Sequence, residues 1–133
     1  MQPLVSVLLP ARNAARHLPG ALSSLSRQTL REFEIIAVDD GSDDGGATWA
    51  VLEGSASRDP RVRPVRSGHA GIACALNLAA SLARGRYLAR MDADDSCLPE
   101  RLAVQAAFLD AHPGTDAAGC LVRFGGDAGA AAG

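Results

Sequence analysis

The chain has 133 residues, 47% of them hydrophobic and 21% charged, with a formal net charge of −2. That is the composition of one globular domain, not of a disordered segment, and it offers no general attraction to nucleic acid or to an anionic membrane surface. No stretch approaches the ~20 apolar residues of a membrane span, and MQPLVSVLLPARN has no basic leader and breaks its apolar run at Pro10, unlike a signal peptide.

Strand and helix patterns alternate along the chain. Leu4–Leu9 is a compact apolar run closed by Pro10, as in a strand buried on both faces. Leu18, Leu22 and Leu25 follow at helical spacing. Phe33–Val38 is a second strand and runs into DDGSDDGG, a dense turn signal. A weak helix over 47–56 leads to a short third strand, Val62–Val65, flanked by Arg61, Arg63 and Arg66 as an edge strand would be. Gly71 opens a helix with Ile72, Leu76, Ala79 and Ala83 on one face, stopping near Gly85. Arg86–Met91 is the fourth strand. Pro99 and Glu100 suit the first turn of a helix continued by Leu102, Ala106 and Leu109 and ended by His112-Pro113-Gly114. Ala117–Phe124 reads as a fifth strand, and residues 125–133 as a flexible Gly/Ala-rich tail after a domain spanning 1–124. Cys74, Cys97 and Cys120 show no metal-ligand spacing and read as small buried or half-buried residues in a reducing compartment.

This alternation implies an α/β fold with a mostly parallel sheet and helices on both faces. Ligands of such sheets bind outside the carboxyl ends of the strands. Three strands end there in polar sequence: Pro10-Ala11-Arg12-Asn13, Asp39-Asp40-Gly41-Ser42 and Asp92-Ala93-Asp94-Asp95. Asp92 and Asp94 are two residues apart, so in an extended segment both carboxylates can address one hard divalent cation. A solvated acidic loop, with Asp95 or Ser96 capping the next helix, is the alternative. Asp39-Asp40 serves a turn or a ligand contact, and Arg12 a solvated surface or a ligand contact. His69 reads as a loop residue. An EF-hand fails, because the sixth position from Asp92 is Cys97 and the twelfth is Ala103. No G-x-G-x-x-G follows the first strand, which disfavours a dinucleotide fold.

VSVLLPARN, LSRQTLREFEIIAVDDGSDD, GIACALNLAASLARGRYLARMDADD and LPERLAVQAAFLDAHP, in this order and spacing, resemble the nucleotide-binding half of family 2 glycosyltransferases. The resemblance runs from about Val5 to His112. It implies a GT-A, Rossmann-like fold, here truncated, and inverting transfer of a sugar from a nucleotide diphosphate donor, commonly a UDP-sugar. By resemblance, Pro10, Arg12 and Asn13 form the first nucleotide-contacting loop, Asp40 recognises the base with Asp39 beside it, Asp92 lies near the ribose, and Asp94 holds Mg²⁺ or Mn²⁺ on the diphosphate. Many members carry Asn at the position of His69, so nothing is carried over there. The family's catalytic base lies on a later segment and is expected beyond residue 133. The expected partners are a nucleotide sugar and an acceptor hydroxyl, in the cytoplasm, with any membrane attachment supplied by segments outside this chain. The rival functions are a non-catalytic nucleotide-sugar-binding fragment and a nucleotidyltransferase, though LLPARN is not the Gly-rich basic loop of the latter.

Overall fold

The two most apolar runs of the sequence lie side by side at the centre of a parallel sheet. The computed structural model describes residues 2–124. Its elements are β1 Val5–Ala11, α1 Leu18–Ser26, β2 Phe33–Asp40, α2 Ala47–Arg58, β3 Val62–Ser67, α3 Ile72–Leu82, β4 Tyr87–Arg90 and α4 Arg101–Ala111. The strand order is β3-β2-β1-β4, all parallel, with Val7 beside Ile35 and Ala89. Every residue of β1 and β2 is buried, because helices cover both faces of a parallel sheet. Successive side chains alternate between the faces. Val7, Leu9 and Ile35 pack under α1, α2 and α4 with Leu18, Leu25, Leu52 and Leu102. Leu8, Ile36 and Val38 pack under α3 with Ala75 and Ala79.

The edge where the strands begin is tied by one buried acid. Glu34 is 2% exposed. Its Oε1 accepts from the Ser6 hydroxyl at 2.7 Å and the Arg84 amide at 2.8 Å, and its Oε2 from the guanidinium groups of Arg63 at 2.7 Å and Arg84 at 2.9 Å. Burial alone would raise the Glu34 pKa, but these donors outweigh it and hold it at about 2. Gly85 donates to the Ser6 hydroxyl, and a Cβ there would lie 2.6 Å from the Ser6 amide nitrogen, so this crossing admits no side chain.

Several expectations are corrected. β1 runs through Pro10 to Ala11 instead of closing at Pro10. The even-numbered residues of β1 turn their backbone toward β4, since Tyr87 N–H donates to Leu4 and Met91 N–H to Leu8. The ladder with β4 ends at Leu8, so the missing Pro10 N–H falls where no partner strand is left. Helix α4 starts at Arg101, with Pro99 and Glu100 outside it. Ile72 is exposed, because the buried face of α3 turns on Ala75 and Ala79. Cys74 and Cys120 are exposed and only Cys97 is half-buried. Ala117–Phe124 forms no strand: no ladder pairs with it, and Leu121, Val122 and Phe124 stand exposed. The expected tail, 125–133, lies outside the described residues.

Candidate functional site

Because all four strands are parallel, the loops after β1, β2 and β4 leave the sheet at one edge. A cleft of about 310 Å³ opens there, lined by Pro10 near the end of β1, Arg12 and Asn13 just after it, Asp92 and Asp94 after β4, and Ile72 at the start of α3. A larger groove of about 860 Å³ runs between α1 and α2, past Leu22, Ser26, Val51 and Arg58, and contains none of the candidate nucleotide or metal residues. Size therefore does not decide between the two clefts. The smaller one is where the chemically able groups meet.

The β1 and β2 loops are clamped together. Asn13 takes the left-handed conformation (φ 49°), which Asn tolerates. Its Nδ2 donates to Asp43 Oδ1 at 2.6 Å and its Oδ1 accepts the Asp43 amide at 2.9 Å. Arg12 stands 3.6 Å from the same carboxylate. The Asn13 hydrogen bond first, and the Arg12 charge second, lower the Asp43 pKa. Thr48, wholly buried, accepts the Ala14 amide and donates to Asp44 Oδ2, fixing the next turn of the loop to α2.

Asp39 and Asp40 do not line the cleft. Asp39 is buried and accepts from the amide and hydroxyl of Ser42, which is the turn role of an Asx residue. Asp40, 5% exposed, accepts from the amides of Ala70 at 3.0 Å and Gly71 at 3.1 Å, with His69 Nδ1 3.5 Å away. The Ala70 bond is the strongest influence on Asp40 and, with Gly71 and His69, lowers its pKa against the opposing effect of burial. Asp40 thus ties the β2 tip to the loop opening α3. Gly41 (φ 65°) completes that closure, since a Cβ on it would meet the His69 backbone nitrogen at 2.5 Å.

The three carboxylates after β4 do converge. Asp92, Asp94 and Asp95 each offer an oxygen, and these oxygens lie within 4.8 Å of one another. Arg90, 3.4 Å from Asp92, is one compensating cation. Burial first, then the charges of Asp94 and Asp92, raise the Asp95 pKa. Oxygen-only donors whose negative charge Arg90 and Arg101 offset only in part fit a hard divalent ion. Neither Asp95 nor Ser96 caps α4. The Leu102 amide is instead capped by Gln28 Oε1 from the far side of α1.

A sequence profile of glycosyl transferase family 2 matches residues 6–131. The chain belongs to glycosyl transferase family 2. It is 37% identical to the uncharacterized glycosyltransferase EpsJ of Bacillus subtilis over 80% of this chain and 31% of that one. Among solved structures, S. aureus TarS 1-349 in complex with UDP-GlcNAc superposes with a TM-score of 0.70 at 30% identity, over 82% of this chain and 32% of TarS. The mannosyltransferase PcManGT from Pyrobaculum calidifontis, in complex with GDP-Man and Mn²⁺, gives 0.68 at 29% identity, over 82% and 33%. The chain therefore spans about a third of the length of these proteins. The GT-A fold expected from the sequence is the one found.

Within this family domain, the sequence reading passed over Asp43 and Gln28. Asp43 was hidden inside a turn-rich run where every residue has a local excuse. Gln28 left a signal: one helical step beyond Leu18, Leu22 and Leu25, the apolar face presents an amide.

Proposed function

We propose that this domain binds the nucleoside diphosphate part of a sugar donor, with a divalent cation, for inverting transfer to an acceptor hydroxyl. The observation that carries the reading is the cleft where Pro10, Arg12 and Asn13 face Asp92 and Asp94 across the carboxyl edge of the sheet. Arg12 and the Asn13 loop would hold the nucleotide from the β1 side. Asp92 would accept from the ribose hydroxyls, and Asp94, more exposed than Asp92, would be the principal metal ligand. Asp39 and Asp40 would serve the base by shaping its loop, since the Asp40 oxygens already accept from the Ser67 hydroxyl and the Ala70 and Gly71 amides.

Bound Mg²⁺ or Mn²⁺ would neutralise the diphosphate as it leaves. This chain's own contribution is to gather the carboxylates, hold the loops rigid and bring a guanidinium to the nucleotide. The neighbours' UDP-GlcNAc and GDP-Man complexes support a nucleotide-sugar donor. We favour uridine on the resemblance of the Asp39-Asp40 tip. The acceptor's general base is assigned to the two thirds of the relatives' length that this chain does not match, in keeping with a metal-dependent binding half of a transferase.

Calorimetric titration of UDP and of GDP into the protein, with and without Mn²⁺, tests this. The expected result is metal-dependent binding with UDP the tighter ligand. Absence of nucleotide binding in the presence of Mn²⁺ would overturn the reading, and tighter GDP would overturn the uridine assignment.

A further inference from the structure

Gln28 follows α1 and is 1% exposed. A buried primary amide is costly unless its donors and acceptor are all used, and here they are. Its Oε1 accepts the Leu102 amide at 3.1 Å, and its Nε2 donates to the Leu98 carbonyl at 2.8 Å and the Ser24 carbonyl at 3.3 Å, with Cys97 Sγ at 3.2 Å. Two flanking bonds act on the same segment. The Thr29 amide donates to the Pro99 carbonyl at 2.8 Å, and the Cys97 amide to the Ser24 hydroxyl at 3.2 Å.

Apart from the bond to the Ser24 carbonyl, these contacts grip residues 97–102, which begin two positions after Asp95. On the other side, the Met91 amide is held by Leu8, and Met91 and Ala93 are buried. Asp92, Asp94 and Asp95 thus sit on a short span fixed at both ends. Within it one backbone bond, from the Asp95 amide to the Asp92 carbonyl at 3.1 Å, closes the turn. Mutual repulsion of three carboxylates favours an open span. The downstream grip opposes that opening.

We infer that Gln28, which has no surface in the cleft, is a positioning residue that keeps Asp92, Asp94 and Asp95 gathered for a cation and nucleotide. The inference rests on the proposed function for its ligands, but not for its effect on the loop. Gln28→Met fills the same volume and removes every polar contact, leaving the Leu102 amide and the Leu98 carbonyl without their partner. Residues that orient metal ligands from outside the coordination sphere typically change metal affinity by about 10–100-fold.

The test compares Gln28→Met with Glu34→Gln, which weakens the opposite edge of the sheet, at a temperature where circular dichroism shows both folded. Mn²⁺-dependent UDP binding is read by calorimetry, and amide hydrogen exchange is read over residues 92–102. The expected result for Gln28→Met is at least about tenfold weaker binding and faster exchange at Asp95, with Glu34→Gln matching the parent in both. Parent-like binding and exchange in Gln28→Met would overturn the inference. So would equal losses in the two variants, which would mark general destabilisation. If the parent binds neither Mn²⁺ nor UDP, the proposed function fails, and the exchange comparison alone decides the role of Gln28. Should Gln28→Met not fold, Gln28→Glu keeps the acceptor for Leu102 and loses the donor to Leu98. The same loss is expected of it, and parent-like behaviour would overturn the inference.

Discussion

Replacing Glu34 by Gln keeps the shape of the buried side chain and deletes its charge. The fall of its pKa from 4.5 to about 2 corresponds to about 3 kcal/mol in favour of the ionised native state, at ~1.4 kcal/mol per pKa unit. Because the folded pKa is the lower one, this stabilisation is complete above pH 4.5 and fades as the pH falls toward 2. Glutamine resembles the protonated acid, so the variant should lose about 3 kcal/mol at pH 7 but only about 1 kcal/mol at pH 3. That is a large part of the ~5–15 kcal/mol that holds a typical domain folded. Arg84 is 58% exposed, so added salt should shrink the difference further by screening its side of the pair. Urea denaturation of both proteins at several pH values and two salt concentrations reads all three effects. A difference that stays constant with pH, or that is negligible at pH 7, would refute the account of Glu34 as a charged clasp.

Three further outcomes are expected. Asp94→Asn should weaken Mn²⁺-dependent UDP binding at least about tenfold, while Asp95→Asn changes it far less; calorimetry on the two variants checks the ranking, and equal behaviour would remove the special role of Asp94. Mn²⁺ affinity should rise with pH through the acid range, because a cation binding carboxylates displaces their protons, the raised pKa of Asp95 adding only a small part since Asp95 is not the principal ligand; titration in buffers of different ionisation enthalpy counts the protons released. Gly41→Ala should destabilise the protein by more than about 1 kcal/mol, since φ is positive and the new methyl group meets the His69 backbone; amide shifts at Ala70 and Gly71 should report the loss of their bonds to Asp40.

The central strands were legible because burial on both faces demands near-continuous apolar runs, and LVSVLL and FEIIAV are such runs, each interrupted once, by Ser6 and Glu34. Pro10 misled because its effect depends on which neighbour its nitrogen faces, a property of the register and not of the local sequence. Ala117–Phe124 has strand composition, but a strand exists only against another, and composition names no partner. Among the candidate residues, the proximity of Asp92, Asp94 and Asp95 was readable from their spacing, which left a cation site and a solvated acidic loop both open. Asp39 and Asp40 were readable as turn formers or ligands; Asp39 makes the turn bond, whereas Asp40 ties down a loop thirty residues away, which no local pattern shows. The Gln28 contacts were beyond reach, since they join residues about seventy positions apart through a side chain that no motif distinguishes.

The strand order also sets a timetable for synthesis. β1 is made first and can pair with β2 soon afterwards, but its other side waits for β4. The Ser6–Gly85 bond that marks this second closure spans 79 residues. At elongation rates of ~5–20 residues per second, that is a delay of roughly 4–16 s. Through that interval the nascent chain carries a Val- and Leu-rich strand with one unpaired edge, the kind of surface that recruits strands from neighbouring chains. The strand order therefore makes the period of synthesis one in which this central strand is open to mispairing. Slow codons between α3 and β4 would lengthen that exposure.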